Sequence, residues 1–113
     1  MGILFEVSKE LGYGHKEKYY CHAIAEGLRA KGIPFREQLC TPLLFKGEII
    51  GKYYLDFLVD SKIVLEIKKG NMYSSRRHME QVISYLKANN LRLGILVQFT
   101  SEGVKYKRLV NLR

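Results

Sequence analysis

Two stretches of the chain repeat their apolar residues at the three-to-four-residue spacing of an amphipathic helix. The repeat predicts one helix from about His15 to Lys31 and another from about Ser75 to Asn89. A short additional helix is predicted over residues 3–10, because Ile3, Leu4 and Val7 then share one face. The chain therefore begins with two helices and carries a third in its second half.

Between these helices the pattern becomes that of strands, rich in β-branched and aromatic residues. It predicts three consecutive strands over Phe35–Phe45, 49–59 and 63–68. The continuous apolar run of residues 93–97 is typical of a strand buried on both faces. Residues 104–112 allow one more strand. This order predicts an α/β fold with a mixed central sheet flanked by helices.

The bulk composition narrows the class of protein. A length of 113 residues predicts one domain over residues 1–113. No apolar run approaches the roughly 20 residues of a membrane span, so no membrane partner is expected. The first residues lack the basic start of a signal peptide. Cys21 and Cys40 are too far apart for a zinc knuckle or a redox pair, which predicts small buried side chains in a reducing, cytoplasmic setting.

The charge is less ordinary than the rest of the composition. Nineteen Lys and Arg residues stand against eleven Asp and Glu residues, for a net charge of +8. Such an excess favours association with a polyanion, nucleic acid before anionic membrane. The alternative is a basic soluble protein without any such partner.

Three charges interrupt the two strands that are predicted to form a hairpin. Asp56 lies in the first strand, and Glu66 and Lys68 lie in the second. Burying an unpaired charge is costly, so such interruptions often mark a site. If residues 60–62 form a three-residue loop, Asp56 and Glu66 face each other; a two-residue turn would put them on opposite faces. The sequence leaves both registers open.

Paired carboxylates beside a lysine suit a Mg²⁺-dependent phosphodiester-cleaving site. Asp56 and Glu66 would ligate the metal, with the backbone carbonyl of Ile67 as a third ligand. Lys68 would orient the attacking water or balance charge on the phosphate. The alternative is a set of solvated charges on an exposed sheet face, with Glu66 and Lys68 as a surface pair of little energetic value.

Two helices add polar residues to this hypothesis. Glu17 lies in the first turn of its helix at the core-facing edge, although acids are also favoured there by the helix dipole. Gln81 and Tyr85 are four residues apart and share a face of the later helix. Gln81 would hold a water or a phosphate oxygen. Alternatively, both are boundary residues that pack on the sheet.

The order of these residues resembles the GxxExxY family. Gly14, Glu17 and Tyr20 match its signature, and Asp56 with Glu66-Ile67-Lys68 looks like its D…ExK core. The segments 81–86, 94–99 and 107–108 look like its QxxxYL helix, closing strand and basic end, so the resemblance covers nearly the whole chain.

That family is placed in the PD-(D/E)XK nuclease superfamily. The resemblance implies a restriction-endonuclease-like αβββαβ core and Mg²⁺-dependent cleavage, with Mn²⁺ as a substitute. It implies that Asp56 and Glu66 ligate the metal, that Lys68 and Gln81 are catalytic, and that Glu17 acts near the metal. The chain departs from the family at two places: Gln98 stands where Asn is frequent, and Leu55 stands where a small residue is frequent.

Basic residues cluster after the acids and near the end of the chain. We predict contacts to nucleic acid, with DNA favoured over RNA, from Lys69, Arg76, Arg77, His78, Tyr85, Lys107 and Arg108. The predicted function is a metal-dependent nuclease, and a homodimer would suit a chain with little room for a recognition domain. The alternative is a catalytically silent nuclease fold that binds nucleic acid or completes a larger complex.

Overall fold

The computed structural model describes residues 2–70 and 76–112. Gly70, Ser74 and Ser75 predict a loop with capping serines over residues 70–75, and this segment lies mostly outside the described residues. Its helices are α1 (Gly2–Leu11), α2 (Glu17–Ala30) and α3 (Arg76–Ala88). Its strands are β1 (Phe35–Phe45), β2 (Glu48–Val59), β3 (Ile63–Lys69), β4 (Leu93–Thr100) and β5 (Gly103–Val110). Within the described residues, no helix is long and apolar enough to cross a membrane.

The start of α2 differs from the predicted start at His15. Gly14 has a φ of 103°, which is outside the helical region, and Lys16 is extended with φ −67° and ψ 149°. The helix therefore begins at Glu17, which places this acid in the first turn. Tyr20 then enters the core, where its ring stacks on Phe99 at 4.2 Å and its hydroxyl donates to the Gly12 carbonyl at 2.6 Å.

One mixed sheet carries the fold, in the order β1-β2-β3-β4-β5. The β3–β4 pair is parallel and the other neighbours are antiparallel. Helices α1 and α2 cover one face, where Tyr20 and Ile24 pack on Phe57 and Phe99. Helix α3 covers the other face. The predicted mixed sheet with helices on its faces is confirmed.

The β2–β3 hairpin settles the register that the sequence left open. Phe57 pairs with Leu65, Leu58 with Val64 and Val59 with Ile63. The connection is the three-residue loop 60–62, in which Asp60 and Ser61 both have positive φ near 55°. This register places Asp56 opposite Glu66, and the alternative two-residue turn is wrong.

Close packing of α3 on the sheet depends on a glycine in β4. A Cβ atom built on Gly94 would lie 2.5 Å from Val82 Cγ1 and 3.5 Å from Leu86 Cδ1. Real side chains do not approach so closely, so α3 sits where it does because residue 94 has no side chain. The position of α3 matters to the site, because this helix carries Gln81 and the basic residues at its start.

We expect Gly94→Ala to lower the free energy of unfolding by about 1–3 kcal/mol, because the added methyl overpacks the α3–sheet contact. Urea denaturation measures the change. Gly51→Ala is the matched control, since Cβ at this strand glycine meets its nearest atom at an ordinary 3.8 Å. In a Val82→Ala background the cost of Gly94→Ala should shrink, and equal costs in both backgrounds would contradict the packing argument.

Candidate active site

The two strands that carry the acids separate at the acids themselves. Backbone pairing of β2 with β3 runs from Val59–Ile63 to Phe57–Leu65 and does not continue to Asp56 and Glu66. Side chains take its place: the Asp56 N–H donates to Glu66 Oε1 at 3.1 Å. The Ile67 N–H donates to Asp56 Oδ2 at 2.7 Å. We call this point the fork.

Backbone N–H groups hold both carboxylates in place at the fork. Each acid accepts a hydrogen bond from a backbone N–H that the separating strands would otherwise leave without a strand partner. The N–H of Ile67 is the group bonded to Asp56, and a ligand role for the Ile67 carbonyl stays a prediction.

Glu66 is the most deeply buried charged residue of the fork, with only 5% of its surface exposed. Burial, and then the nearby negative charge of Asp56, raise the pKa of Glu66 to about 8. Lys68 opposes this rise, because its Nζ lies 3.4 Å from Glu66 Oε2. The lysine side chain is itself only 23% exposed, so this ion pair is well shielded from solvent.

Helix α2 brings two further groups to the fork, from the face of the sheet that α1 and α2 cover. Glu17 Oε2 accepts a hydrogen bond from the Lys69 N–H at 3.3 Å, which ties the helix to the end of β3. One turn later, the Cys21 thiol lies close enough to the Asp56 carboxylate to interact with it electrostatically. Burial, followed by the charges of Asp56, Glu17 and Glu66, raises the pKa of this thiol. The thiol is therefore held protonated among three acids.

Cys21 is the site residue that the sequence interpretation missed, because we expected only a small buried side chain. The signal was its spacing: Cys21 follows Glu17 by four residues, and residues four apart share one face of a helix. If α2 brings Glu17 near the predicted metal site, Cys21 comes near that site as well, because both lie on the same face of the helix.

The start of α3 lies close to this cluster. Burial lowers the pKa of His78, as do the positive charges of Lys68 and Arg77, while Glu17 acts in the opposite direction. These influences place the imidazole near both the lysine of β3 and the acid of α2. Arg77 is exposed, and so is Arg76 at the first residue of the helix.

Gln81 lies half-buried on α3 and lines a groove of about 400 Å³ between this helix and the β1–β2 hairpin. Arg77 and Tyr53 line the same groove. The groove borders the site, and contact between Gln81 and the acids stays a prediction.

The predicted nucleic-acid contact of Tyr85 requires correction. Its side chain is 8% exposed and belongs to the core between α3 and the sheet, next to Leu58 and Leu96. A ring enclosed in this way packs as a core residue and offers no face to a base.

Lys107 and Arg108 lie on the edge strand β5 and point to opposite faces, because side chains alternate along a strand. Lys107 pairs with Leu96, which pairs in turn with Glu66. Two strand spacings separate Lys107 from Glu66, or roughly 10 Å. Lys107 thus shares the face of Leu96, which α3 covers, whereas Arg108 faces the side of Ile95, covered by α1 and α2, so contact of either residue with nucleic acid stays a prediction.

The oxygen donors of this cluster suit a hard divalent cation in their chemistry, but their present positions are not those of a metal-ligand group. In residues 2–70 and 76–112, no three His, Cys, Asp or Glu side chains form a group that could hold a metal ion. Burial, and then the negative charge of nearby carboxylates, raises the pKa values of Glu66 and Cys21, and three carboxylates act together on Cys21. Carboxylate oxygens are the ligands that Mg²⁺ prefers, and a divalent cation would relieve this repulsion.

Comparison with known proteins is consistent with this geometry. The chain matches the family model of the PD-(D/E)XK nuclease superfamily over residues 1–109. The crystal structure of SSO0001 is similar with a TM-score of 0.61 and 18% identity, over 85% of this chain and 50% of that chain. An alkaline exonuclease (LHK-Exo) from Laribacter hongkongensis is similar with a TM-score of 0.57 and 14% identity, over 84% of this chain and 56% of that chain.

These identities are low, so the two structures show a shared fold. This chain spans about half the length of either one. No curated protein matches the sequence.

We expect the metal-free protein to lose stability as the pH rises, through Glu66. Its pKa lies at about 8 in the folded protein and at 4.5 ordinarily, so the folded state binds this proton more tightly between those values. The contribution to the free energy of unfolding therefore falls by up to a few kcal/mol as pH rises through this window. Urea denaturation in a chelator, from about pH 5 to about pH 9, measures it.

Glu66→Gln provides the comparison, because the amide resembles the protonated acid at every pH. The variant should match the wild type at acidic pH and be the more stable protein above about pH 8. Stability curves that stay parallel across the whole range would contradict the raised pKa of Glu66.

Cys21 should react slowly with alkylating agents, because only the thiolate is nucleophilic and its pKa is raised. In a Cys40→Ser background, Cys21 is the only thiol in the chain. We expect iodoacetamide to modify it roughly tenfold more slowly than in the urea-unfolded protein, as followed by mass spectrometry. Equal rates would place the thiol away from the acids.

Proposed function

We propose that this chain, which belongs to the PD-(D/E)XK nuclease superfamily, hydrolyses phosphodiester bonds of nucleic acid with a bound divalent cation. The observation that carries the proposal is the fork, where Asp56 and Glu66 are held together with Lys68 beside them. Superfamily membership supports nuclease chemistry and a divalent metal. Mg²⁺, with Mn²⁺ as a substitute, is our choice because the donors are hard oxygens.

Each group of the fork has a distinct task in this proposal. Asp56 and Glu66 would hold the cation, and Glu17 would hold one of its waters. Mg²⁺ there would lower the pKa of a water and polarise the scissile phosphate. Lys68 keeps its ammonium group near Glu66, where it can orient the attacking water or stabilise charge that develops on the phosphate.

The raised pKa of Glu66 gives this site a built-in dependence on metal and pH. Near neutral pH the metal-free acid holds its proton, and cation binding must displace it. The affinity for Mg²⁺ should therefore rise as the pH approaches about 8, where Glu66 ionises without assistance.

Substrate binding is assigned to the exposed cations around the fork. Arg76 and Arg77 lie at the start of α3, and Lys69 lies at the end of β3. The net charge of +8 supports a polyanionic substrate. The preference for DNA over RNA, the place in the GxxExxY family and a homodimeric assembly belong to this proposal.

A second candidate is a nuclease fold that binds nucleic acid without cutting it. One observation favours it: the oxygens of Asp56, Glu66 and Glu17 already accept hydrogen bonds from backbone N–H groups. If those bonds persist, they compete with metal binding. Salt-dependent binding without turnover, and without heat of Mg²⁺ binding in calorimetry, would favour this reading.

Cleavage of a panel of DNA and RNA substrates with Mg²⁺ or Mn²⁺ tests the proposal. We expect Asp56→Ala and Lys68→Ala each to lower kcat by about 10²-fold or more, since each removes a group that acts on the reacting phosphate or its metal. Lys62→Ala is the matched control: its lysine is 76% exposed in the hairpin loop, and its removal should leave the rate unchanged.

Circular dichroism shows whether each variant is folded. Activity that survives both substitutions in folded proteins would discard the nuclease assignment. A wild type that binds Mg²⁺ and nucleic acid but cuts no member of the panel would favour the silent module.

A further inference from the structure

The groove between α3 and the β1–β2 hairpin borders the fork, and the catalytic steps proposed above leave most of its lining unused. Its volume is about 400 Å³, within the range of small-ligand pockets, about 300–1,000 Å³. Six of its eight lining residues carry a polar group: Thr41, Tyr53, Arg77, Glu80, Gln81 and Ser84. We therefore expect an occupant that forms hydrogen bonds.

The strand register places a tyrosine and a threonine on one wall of the groove. Leu39 pairs with Leu55, and both are buried with residues of α3. Two residues further along each strand, Thr41 pairs with Tyr53, and residues two apart on a strand share a face. Tyr53 is half-buried, so it stays partly accessible within the groove. An aromatic ring at this position can stack on a flat ligand.

The Thr41 hydroxyl indicates that a hydrogen-bond partner is missing on the same wall. Its oxygen is buried, and it has no partner among the described residues. A buried polar atom without a partner is costly, so such atoms are rare and call for an explanation. Rotation about the Cα–Cβ bond moves a threonine hydroxyl between staggered positions, so a ligand in the groove could supply the partner.

The opposite wall combines both signs of charge. Arg77, Glu80 and Ser84 are exposed and lie three and then four residues apart, so they share one face of α3. Arg77 forms no ion pair in the part of the chain that the structure describes. The positive charge of Lys68 lowers the pKa of the neighbouring His78, so Arg77 marks the end of the groove nearest the fork.

Glu80 determines which part of a nucleotide fits beyond Arg77. A phosphate there would be repelled by the Glu80 carboxylate, whereas the exocyclic N–H groups of bases donate to carboxylates. A base also presents the flat surface on which Tyr53 can stack. The groove is therefore arranged for a base, with Arg77 placed to hold the adjoining phosphate.

We propose that the groove binds one unpaired base of the substrate strand, an inference that rests on the nuclease function proposed above. Tyr53 stacks on the base, while Glu80 and Ser84 form hydrogen bonds with its edge. Tyr53 precedes Asp56 by three residues, or roughly 10 Å along a strand. The bound base then lies within a few nucleotides of the bond that is cut. A base within a duplex is stacked on both faces, so the substrate class is single strands and frayed ends.

Fluorescence anisotropy in EDTA tests the proposal with two labelled DNA strands of equal length. One strand carries bases and is not self-complementary, and the other carries abasic sugars on the same phosphodiester backbone. We expect the wild type to bind the first strand about tenfold more tightly, because each base that stacks on an aromatic side chain adds affinity. Tyr53→Ala should abolish most of this difference. Tyr53→Phe should keep it, because phenylalanine retains the ring.

Tyr54→Ala is the matched control. Tyr54 pairs with Cys40 and lies on the other face of the hairpin, where it is 52% exposed. Its removal should leave the preference for the base-bearing strand unchanged. Equal affinities of the wild type for the two strands would overturn the proposal. So would a Tyr53→Ala variant, folded by circular dichroism, that keeps the wild-type preference, or equal losses in Tyr53→Ala and Tyr54→Ala.

A second measurement uses the wild type and does not depend on the folding of a variant. A strand that contains 5-iodouracil crosslinks on irradiation to an aromatic side chain in contact with the base, and mass spectrometry identifies that residue. We expect the crosslink on Tyr53. Crosslinks confined to residues outside the groove would overturn the proposal.

Failure of the groove can be told apart from failure of the nuclease function, because both measurements are made in EDTA and need no cleavage. Metal-dependent cleavage that Asp56→Ala abolishes, in a protein without any preference for bases, would overturn the groove alone. A base preference that requires Tyr53, in a protein that cuts no substrate, would support the groove and overturn the nuclease function alone.

Discussion

The structure depends on an exchange of hydrogen bonds at the point where β2 leaves β3. Up to Phe57 and Leu65 the two backbones pair with each other; one residue further, carboxylates accept the bonds instead. The Asp56 N–H donates a hydrogen bond to the Glu66 carboxylate, and the Ile67 N–H donates one to the Asp56 carboxylate. The acids are therefore part of the sheet that positions them, and a change in the strand register would dismantle the site.

The same exchange concentrates negative charge that the chain only partly compensates. Lys68 supplies one positive charge beside Glu66, yet burial and Asp56 still raise the pKa of that acid. The pKa of the Cys21 thiol is raised as well, by burial first and then by three nearby carboxylates. Repulsion among these negative charges lowers the stability of the metal-free protein at high pH, and it favours the binding of a cation. Stability and function are therefore opposed at this site.

Much of this could be predicted from the sequence, because helical periodicity and strand composition are local properties. The ten-residue separation of Asp56 and Glu66 limited their register to two choices, and the positive φ of Asp60 and Ser61 selects one. Burial was harder to predict. Tyr85 has an aromatic ring that could stack on a base, but it lies in the core. The role of Cys21 was missed because the pKa of a thiol depends on burial and on neighbours from other elements of the fold.

The β1–β2 hairpin shows the same limit on a larger scale. The content of β-branched and aromatic residues predicted β1, β2 and β3 to within one residue at each end, but only the structure shows that the pairing of β2 with β3 stops at Phe57–Leu65. The divergence of β2 at Asp56 therefore has two consequences. It leaves the carboxylates of Asp56 and Glu66 to accept backbone hydrogen bonds in place of strand pairing, and it exposes apolar side chains near the turn of the β1–β2 hairpin.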